Sequence, residues 1–228
     1  MGLKRHLQTA EILGQVLAVQ DDCWTRHGRE EGTPPDLFQN IVFMGMGEPL
    51  HNFDNVARAV GLLTDEAGFN FSPRKITVST SGLVPAIKRF GEESVRANLA
   101  ISLNATTDEV RTKIIPINKK WPLDDLLTSL RAFPLTGRKK LTIEYVMLRG
   151  VNDSDEDMKR LPGLLSNIPS KINLIPYNEN AGLGFFGPKV ETVQKWQDYL
   201  LKKGMYATIR WSKGQDISAA CGQLATEA

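Results

Sequence analysis

FMGMGEP, residues 43–49, ends an apolar run in two glycines, one carboxylate and a proline. Residues 41–44 read as a buried strand. Gly45 and Gly47 let the backbone turn sharply and approach a ligand with its N–H and C=O groups bare, and Pro49 stops the strand. Glu48 is left at the C-terminal tip, the end of a strand where β/α folds place their chemistry, and a carboxylate there suits a ligand's ammonium group.

Outward from this stretch the pattern repeats. Upstream, residues 9–27 carry Ile12, Leu13, Val16, Leu17 and Val19 at helical spacing, with Thr9 as the expected N-cap. Residues 28–36, with two prolines, form a loop into a strand over 40–46. Downstream, helices are expected over 52–67, 84–90, 107–113, 123–133, 154–165 and 188–203. They alternate with strands over 75–80, 97–103, 141–148, 171–177 and 207–211. Such alternation is the signature of parallel βαβ units, so the expected fold is α/β, a partial (β/α) barrel, with residues 1–228 forming one domain. Each helix in a βα series returns from a strand, yet only eight residues precede the first helix. A strand and its loop are therefore expected to be missing at the N-terminus, leaving the strand at 40–46 with an unpaired edge.

At 228 residues with a formal net charge of +2, the chain has the make-up of an ordinary soluble protein, and the charge is too mild to imply a nucleic-acid partner. No stretch approaches membrane-spanning length, no secretory leader is legible, and a cytoplasmic location with no membrane partner is expected. Two cysteines, Cys23 and Cys221, provide neither a disulfide framework nor metal-ligand spacing, so no metal site is assigned. Short basic clusters at Lys4–Arg5, Arg74–Lys75, Lys119–Lys120 and Arg138–Lys140 suit phosphates or a solvated face equally.

The strand tips share a character. Gly47 and Glu48 end the first strand; Ser79, Thr80 and Ser81 the second; Ser102 and Asn104 the third; Asn178 follows the fifth. In a β/α barrel these converge on one pocket able to hold a ribose and an amino-acid moiety by hydrogen bonds.

GMGEPL (45–50), ITVSTSGLVPAI (76–87), LAISLNATTDEVRTKIIPINKKWPL (99–123), LTIEYVMLRGVND (141–153), KINLIPYN (171–178) and ISAACGQLA (217–225) together resemble the RlmN family of radical S-adenosylmethionine RNA methyltransferases. The resemblance runs from Gly2 to Ala225. It implies a radical-SAM partial barrel that methylates C2 of adenine in 23S rRNA and tRNA. The implied cofactors are S-adenosylmethionine and a [4Fe-4S] cluster, with an electron donor such as flavodoxin. By the same resemblance Gly47 and Glu48 contact the methionine amino group, Ser79 and Ser102 the methionine or ribose portions, and Asn178 the nucleoside, while Leu103 and Asn104 line the site. Many relatives carry histidine where this chain has Asn104; Asn keeps hydrogen-bonding capacity but removes a titratable ring.

Cys221 is the candidate catalytic residue. Its neighbours Ala219, Ala220 and Gly222 leave a thiol accessible, and Arg210 and Lys213 near it in sequence favour a thiolate. In the family the matching cysteine takes a methyl group from one S-adenosylmethionine. A radical derived from a second then activates that methyl for addition to adenine C2, a carbon without a lone pair for polar methyl transfer. The family holds its cluster on a CxxxCxxC loop, and this sequence has no such triplet. The resolving cysteine is absent too, and Cys23 is read as structural. The chain by itself is therefore expected to be inactive. Two other readings stand beside this one: an S-adenosylmethionine-binding pseudoenzyme or RNA-binding module on the same scaffold, and an unrelated barrel enzyme using Glu48 and Glu144 as acid and base.

Overall fold

The computed structural model describes residues 4–27, 38–45, 47–179 and 184–211. Six parallel strands form one sheet in the order of the chain: β1 (Ile41–Phe43), β2 (Ile76–Thr80), β3 (Asn98–Ser102), β4 (Leu141–Met147), β5 (Ser170–Pro176) and β6 (Tyr206–Ile209). Seven helices accompany them: α1 (Thr9–His27), α2 (Phe53–Leu63), α3 (Val84–Glu92), α4 (Asp108–Ile114), α5 (Leu123–Arg131), α6 (Asp155–Leu164) and α7 (Val190–Lys202). A strand order that never reverses, joined by crossovers of one hand, keeps its helices on one face. This is the open α/β sheet of a partial barrel, as the alternation implied.

Residue alternation gives the two faces opposite chemistry. Ile101, Ile143, Ile172 and Ala207 stand in register across β3 to β6 and are buried. With Val78, Leu99, Tyr145 and Leu174 they meet Val60, Ile87, Leu126, Leu161 and Trp196 from the helices in one core. Each fully buried side chain of this kind contributes roughly 1.5–3 kcal/mol. One residue further along the strands, Ser102, Glu144, Asn173 and Thr208 form a second row in register, facing the opposite way. That face is polar.

Element boundaries shift in three places. β1 is three residues long, because Gly45 takes a φ of +119° and Gly47 a φ of +87°, turning the chain before the apolar run is spent. The helix expected from residue 52 is preceded by a 3-10 turn, Pro49–Asn52, and ends at Leu63 with Thr64 as its C-cap. Thr9 is the first helical residue and not a cap: its hydroxyl goes to Asn55 Oδ1 (3.0 Å), while Glu11 reaches back to accept the N–H of Gln8 (2.8 Å).

Among the described residues β1 pairs with β2 alone, so its other edge is bare, as the sequence led us to expect, and Val42 is half exposed there. Between this edge and α1 lies a cleft of about 890 Å³, walled by Val16, Val19, Phe38 and Phe43 and reaching Glu48 and Ser81. Its size is in the range that takes a cofactor-sized ligand.

Candidate active site

Glu48 caps the Pro49–Asn52 turn: its Oε1 accepts the N–H of Leu50 (3.0 Å). Its Oε2 accepts both the N–H and the hydroxyl of Ser81 (2.8 and 2.6 Å), tying the tip of β1 to the tip of β2. A carboxylate offers about four lone-pair positions, and three are taken here by neutral donors. The side chain is thus fixed in place with no ion-pair partner among the described residues, an arrangement that suits a cation such as an ammonium group.

Ser81 is held in turn from behind by Arg111 of α4, a fully buried arginine. Its guanidinium donates to the carbonyls of Ser81 (2.6 Å), Ser102 (3.1 Å) and Leu103 (3.0 Å) and to Asn118 Oδ1 (2.9 Å). Burial lowers its pKa to about 10, opposed by Asp108, so it stays charged at neutral pH. The planar fork of arginine suits this set of acceptors, which lysine could not meet in one plane. Gly82, at a φ of +111°, makes room: a Cβ there would lie 3.1 Å from Arg111 Nη2.

A second brace holds the tip of β3. Asn104 sits in the left-handed region (φ 54°), and its Oδ1 accepts the N–H of Val146 (2.8 Å), extending the β3–β4 ladder with a side chain. Its carbonyl accepts from Asn152 Nδ2 (2.7 Å). Asn152, fully buried, also donates to Val146 O (2.8 Å) and accepts the N–H of Leu148 (2.7 Å).

The residues singled out from the sequence divide accordingly. Gly47, Glu48, Ser79, Ser102, Asn104 and Asn178 lie at the same end of the sheet. Ser79 is buried and donates to Glu144 Oε2 across β3 (3.0 Å), over the small side chain of Ala100. Asn104 has spent its carbonyl oxygen on β4, leaving Nδ2 as its group for a ligand. Leu103 has its side chain wholly in the hydrophobic core, so only its backbone can line a site. Cys221 lies outside the described residues. Cys23 is half buried on α1 and unpaired. Of the basic clusters, Arg74–Lys75 and Arg138–Lys140 precede β2 and β4, at the end of the sheet away from the tips, and Arg5 is paired with Glu11.

Arg111 and Asn152 were not anticipated. Arg111 stands in a helix among Asp108, Glu109 and Lys113, where the pattern reads as a solvated charged face. Asn152 in a Val-Asn-Asp turn reads as a loop residue.

A parallel sheet wound in chain order, with a glycine-turned carboxylate at its first tip and a polar face, is the arrangement expected of an α/β fold of radical S-adenosylmethionine type. The family model described as Radical SAM superfamily matches residues 33–161, and the chain belongs to that superfamily. More particularly, it is 55% identical over 97% of its length to the dual-specificity RNA methyltransferase RlmN of Geotalea uraniireducens. It is also 52% identical over 99% of its length to RlmN 2 of Myxococcus xanthus. The chain spans about three fifths of the length of these relatives, 61% and 58% respectively. A crystal structure of a radical SAM methyltransferase from Sphaerobacter thermophilus superposes with a TM-score of 0.90 at 41% identity, covering all of this chain and 64% of that one.

The superfamily implies S-adenosylmethionine and a [4Fe-4S] cluster. The first fits the residues present: Glu48 has a charge and a lone pair to spare for an ammonium group, beside a face of hydroxyls and amides. The second does not. With two cysteines in 228 residues, a three-cysteine ligand set is not available from this sequence, and no group of His, Cys, Asp or Glu among the described residues could hold a metal ion. No helix among the described residues is long and apolar enough to cross a membrane.

Proposed function

We infer that this chain is the S-adenosylmethionine-binding sheet of an RNA methyltransferase that modifies C2 of adenine in 23S rRNA and tRNA. The observation carrying this reading is the 55% identity over 97% of the chain to an RlmN relative, with the cofactor residues expected from that likeness gathered at one end of one sheet. When bound, S-adenosylmethionine would supply the methyl group and, under reduction, the means of hydrogen abstraction. The protein's part is positioning. Glu48, held by Ser81 and Leu50, takes the methionine amino group together with Gly47; Ser79 and Ser102 take the methionine or ribose portions and Asn178 the nucleoside; Leu103 through its backbone and Asn104 through Nδ2 line the site. Cys221 is the proposed methyl-accepting thiol. The cluster ligands and the electron donor, for which flavodoxin is the candidate, must come from outside these 228 residues, so this chain by itself is proposed to be inactive.

The test is equilibrium dialysis of radiolabelled S-adenosylmethionine against the chain. Saturable binding that falls tenfold or more in Glu48→Gln supports the reading, since a hydrogen bond to a charged group is worth about 1.5–3 kcal/mol. Binding unchanged in Glu48→Gln, or none to the wild type, overturns it.

A further inference from the structure

At the end of the sheet away from the tips, where β4, β5 and β6 begin, the surface is basic. Arg138, Lys139 and Lys140 lead into β4, Lys171 is the second residue of β5, and Lys202 and Lys203 stand at the C-terminal end of α7; all are exposed. None of them has an ion-pair partner among the described residues. Asp198, one turn before Lys202 on α7, is not paired with it. Register gathers the group on one face. Lys171 lies between Thr142 and Tyr206, and alternation puts all three on the face that carries Glu144, Asn173 and Thr208 two residues further along. Lys140 reaches across β5 to bring its Nζ within 5.9 Å of the ring centre of Tyr206, which is 57% exposed. The ring quadrupole holds that ammonium group in place. The polar face thus runs from the strand tips into a basic margin. β4, seven residues long, sets their separation at about 20 Å.

A helix C-terminus accounts for Lys202 and Lys203, which oppose its dipole. The fold gives no such role to Arg138, Lys139, Lys140 and Lys171, whose mutual repulsion is a cost in the free chain that a polyanion would relieve. We propose that this margin binds the phosphate backbone of RNA, a contact separate from the strand tips, so that a substrate strand lies along the polar face and is held at both of its ends. A small ligand at the tips cannot reach the margin, whereas a macromolecule can. The proposal rests on the RNA methyltransferase reading for the identity of the polyanion, and adds where on this chain the substrate is held.

The experiment follows the anisotropy of a fluorescein-labelled RNA hairpin with an adenosine in its loop, titrated over a series of potassium chloride concentrations. The combined variant Arg138→Gln, Lys139→Gln, Lys140→Gln and Lys171→Gln is expected to bind tenfold or more weakly than wild type at low salt. The slope of log K against log salt should shrink by about 2 or more, since each phosphate contact contributes roughly 0.7–0.9. A control that removes the same charge from exposed lysines elsewhere, Lys88→Gln, Lys113→Gln, Lys119→Gln and Lys120→Gln, is expected to lose threefold or less. Lys139→Arg, Lys140→Arg and Lys171→Arg together keep the charge, and this variant should bind as wild type does. An unchanged slope in the glutamine variant, or an equal loss in the control, overturns the proposal. So does a margin whose neutralisation abolishes binding of labelled polyglutamate but not of RNA, which would assign the surface to an acidic protein. Radiolabelled S-adenosylmethionine is dialysed against the same proteins. A wild type that binds the cofactor but not the hairpin overturns this proposal alone, and one that binds neither overturns the reading beneath it as well.

Discussion

Burial pushes the Glu144 carboxyl above its ordinary value of 4.5, and the hydrogen bond from Ser79 and the charge of Arg210 recover only part of that. The folded chain thus holds this proton more tightly than the unfolded one. The stabilising contribution is complete below the unfolded pKa and is lost as pH rises from 4.5 through the higher folded value. Glu144→Gln removes the dependence. Its melting temperature relative to wild type is expected to increase from pH 4 to pH 8; a difference that is flat or falls with pH would contradict the burial argument. The sequence made the pair of Ser79 and Glu144 hard to see. Ser79 was legible as a polar strand tip, but its partner lies 65 residues away, and only the register of β2 through β4 brings them together. Leu103 stood out by its position beside Ser102, and alternation then turned its side chain into the core.

At the level of elements, the strand tips owe their shape to two polar braces that lie behind them. Arg111 satisfies three carbonyls at the tips of β2 and β3, and Asn152 fastens the turn after β4 to the end of β3. Arg111→Met would leave those carbonyls and Asn118 without their buried donor, at a cost of at least about 3 kcal/mol, read as a fall in the urea midpoint. Glu48 would also lose its fixed geometry through Ser81, so S-adenosylmethionine affinity is expected to fall even under conditions where the variant is fully folded. Asn152→Ala removes three side-chain hydrogen bonds and is expected to cost about 2–4 kcal/mol. Accelerated amide exchange at Leu148 would locate the damage at the turn. Helix and strand identities were readable throughout, because hydrophobic period separates them well. Their ends were less so: the short β1 and the 3-10 entry to α2 are set by glycine dihedrals and by the cap from Glu48, local choices that override an apolar run.

For the molecule as a whole, strand order was implied by simple alternation, and the single winding follows from it. The site is a property of one end of the sheet, and two of the four basic clusters sit at the other. Composition imposes a limit of its own. Anaerobic treatment of the chain with iron and sulfide is expected to yield no stable four-iron absorbance, since two cysteines cannot supply three ligands; a stoichiometric cluster on these residues would refute that. The uncovered side of β1 carries a further consequence, for behaviour in solution. Amides that are unpaired among the described residues, beside a half-exposed Val42, are an adhesive seam along which two molecules can zip together. Light scattering is expected to report growth in mean size with concentration. Val42→Lys, placing like charges face to face along that seam, should keep the particles monodisperse.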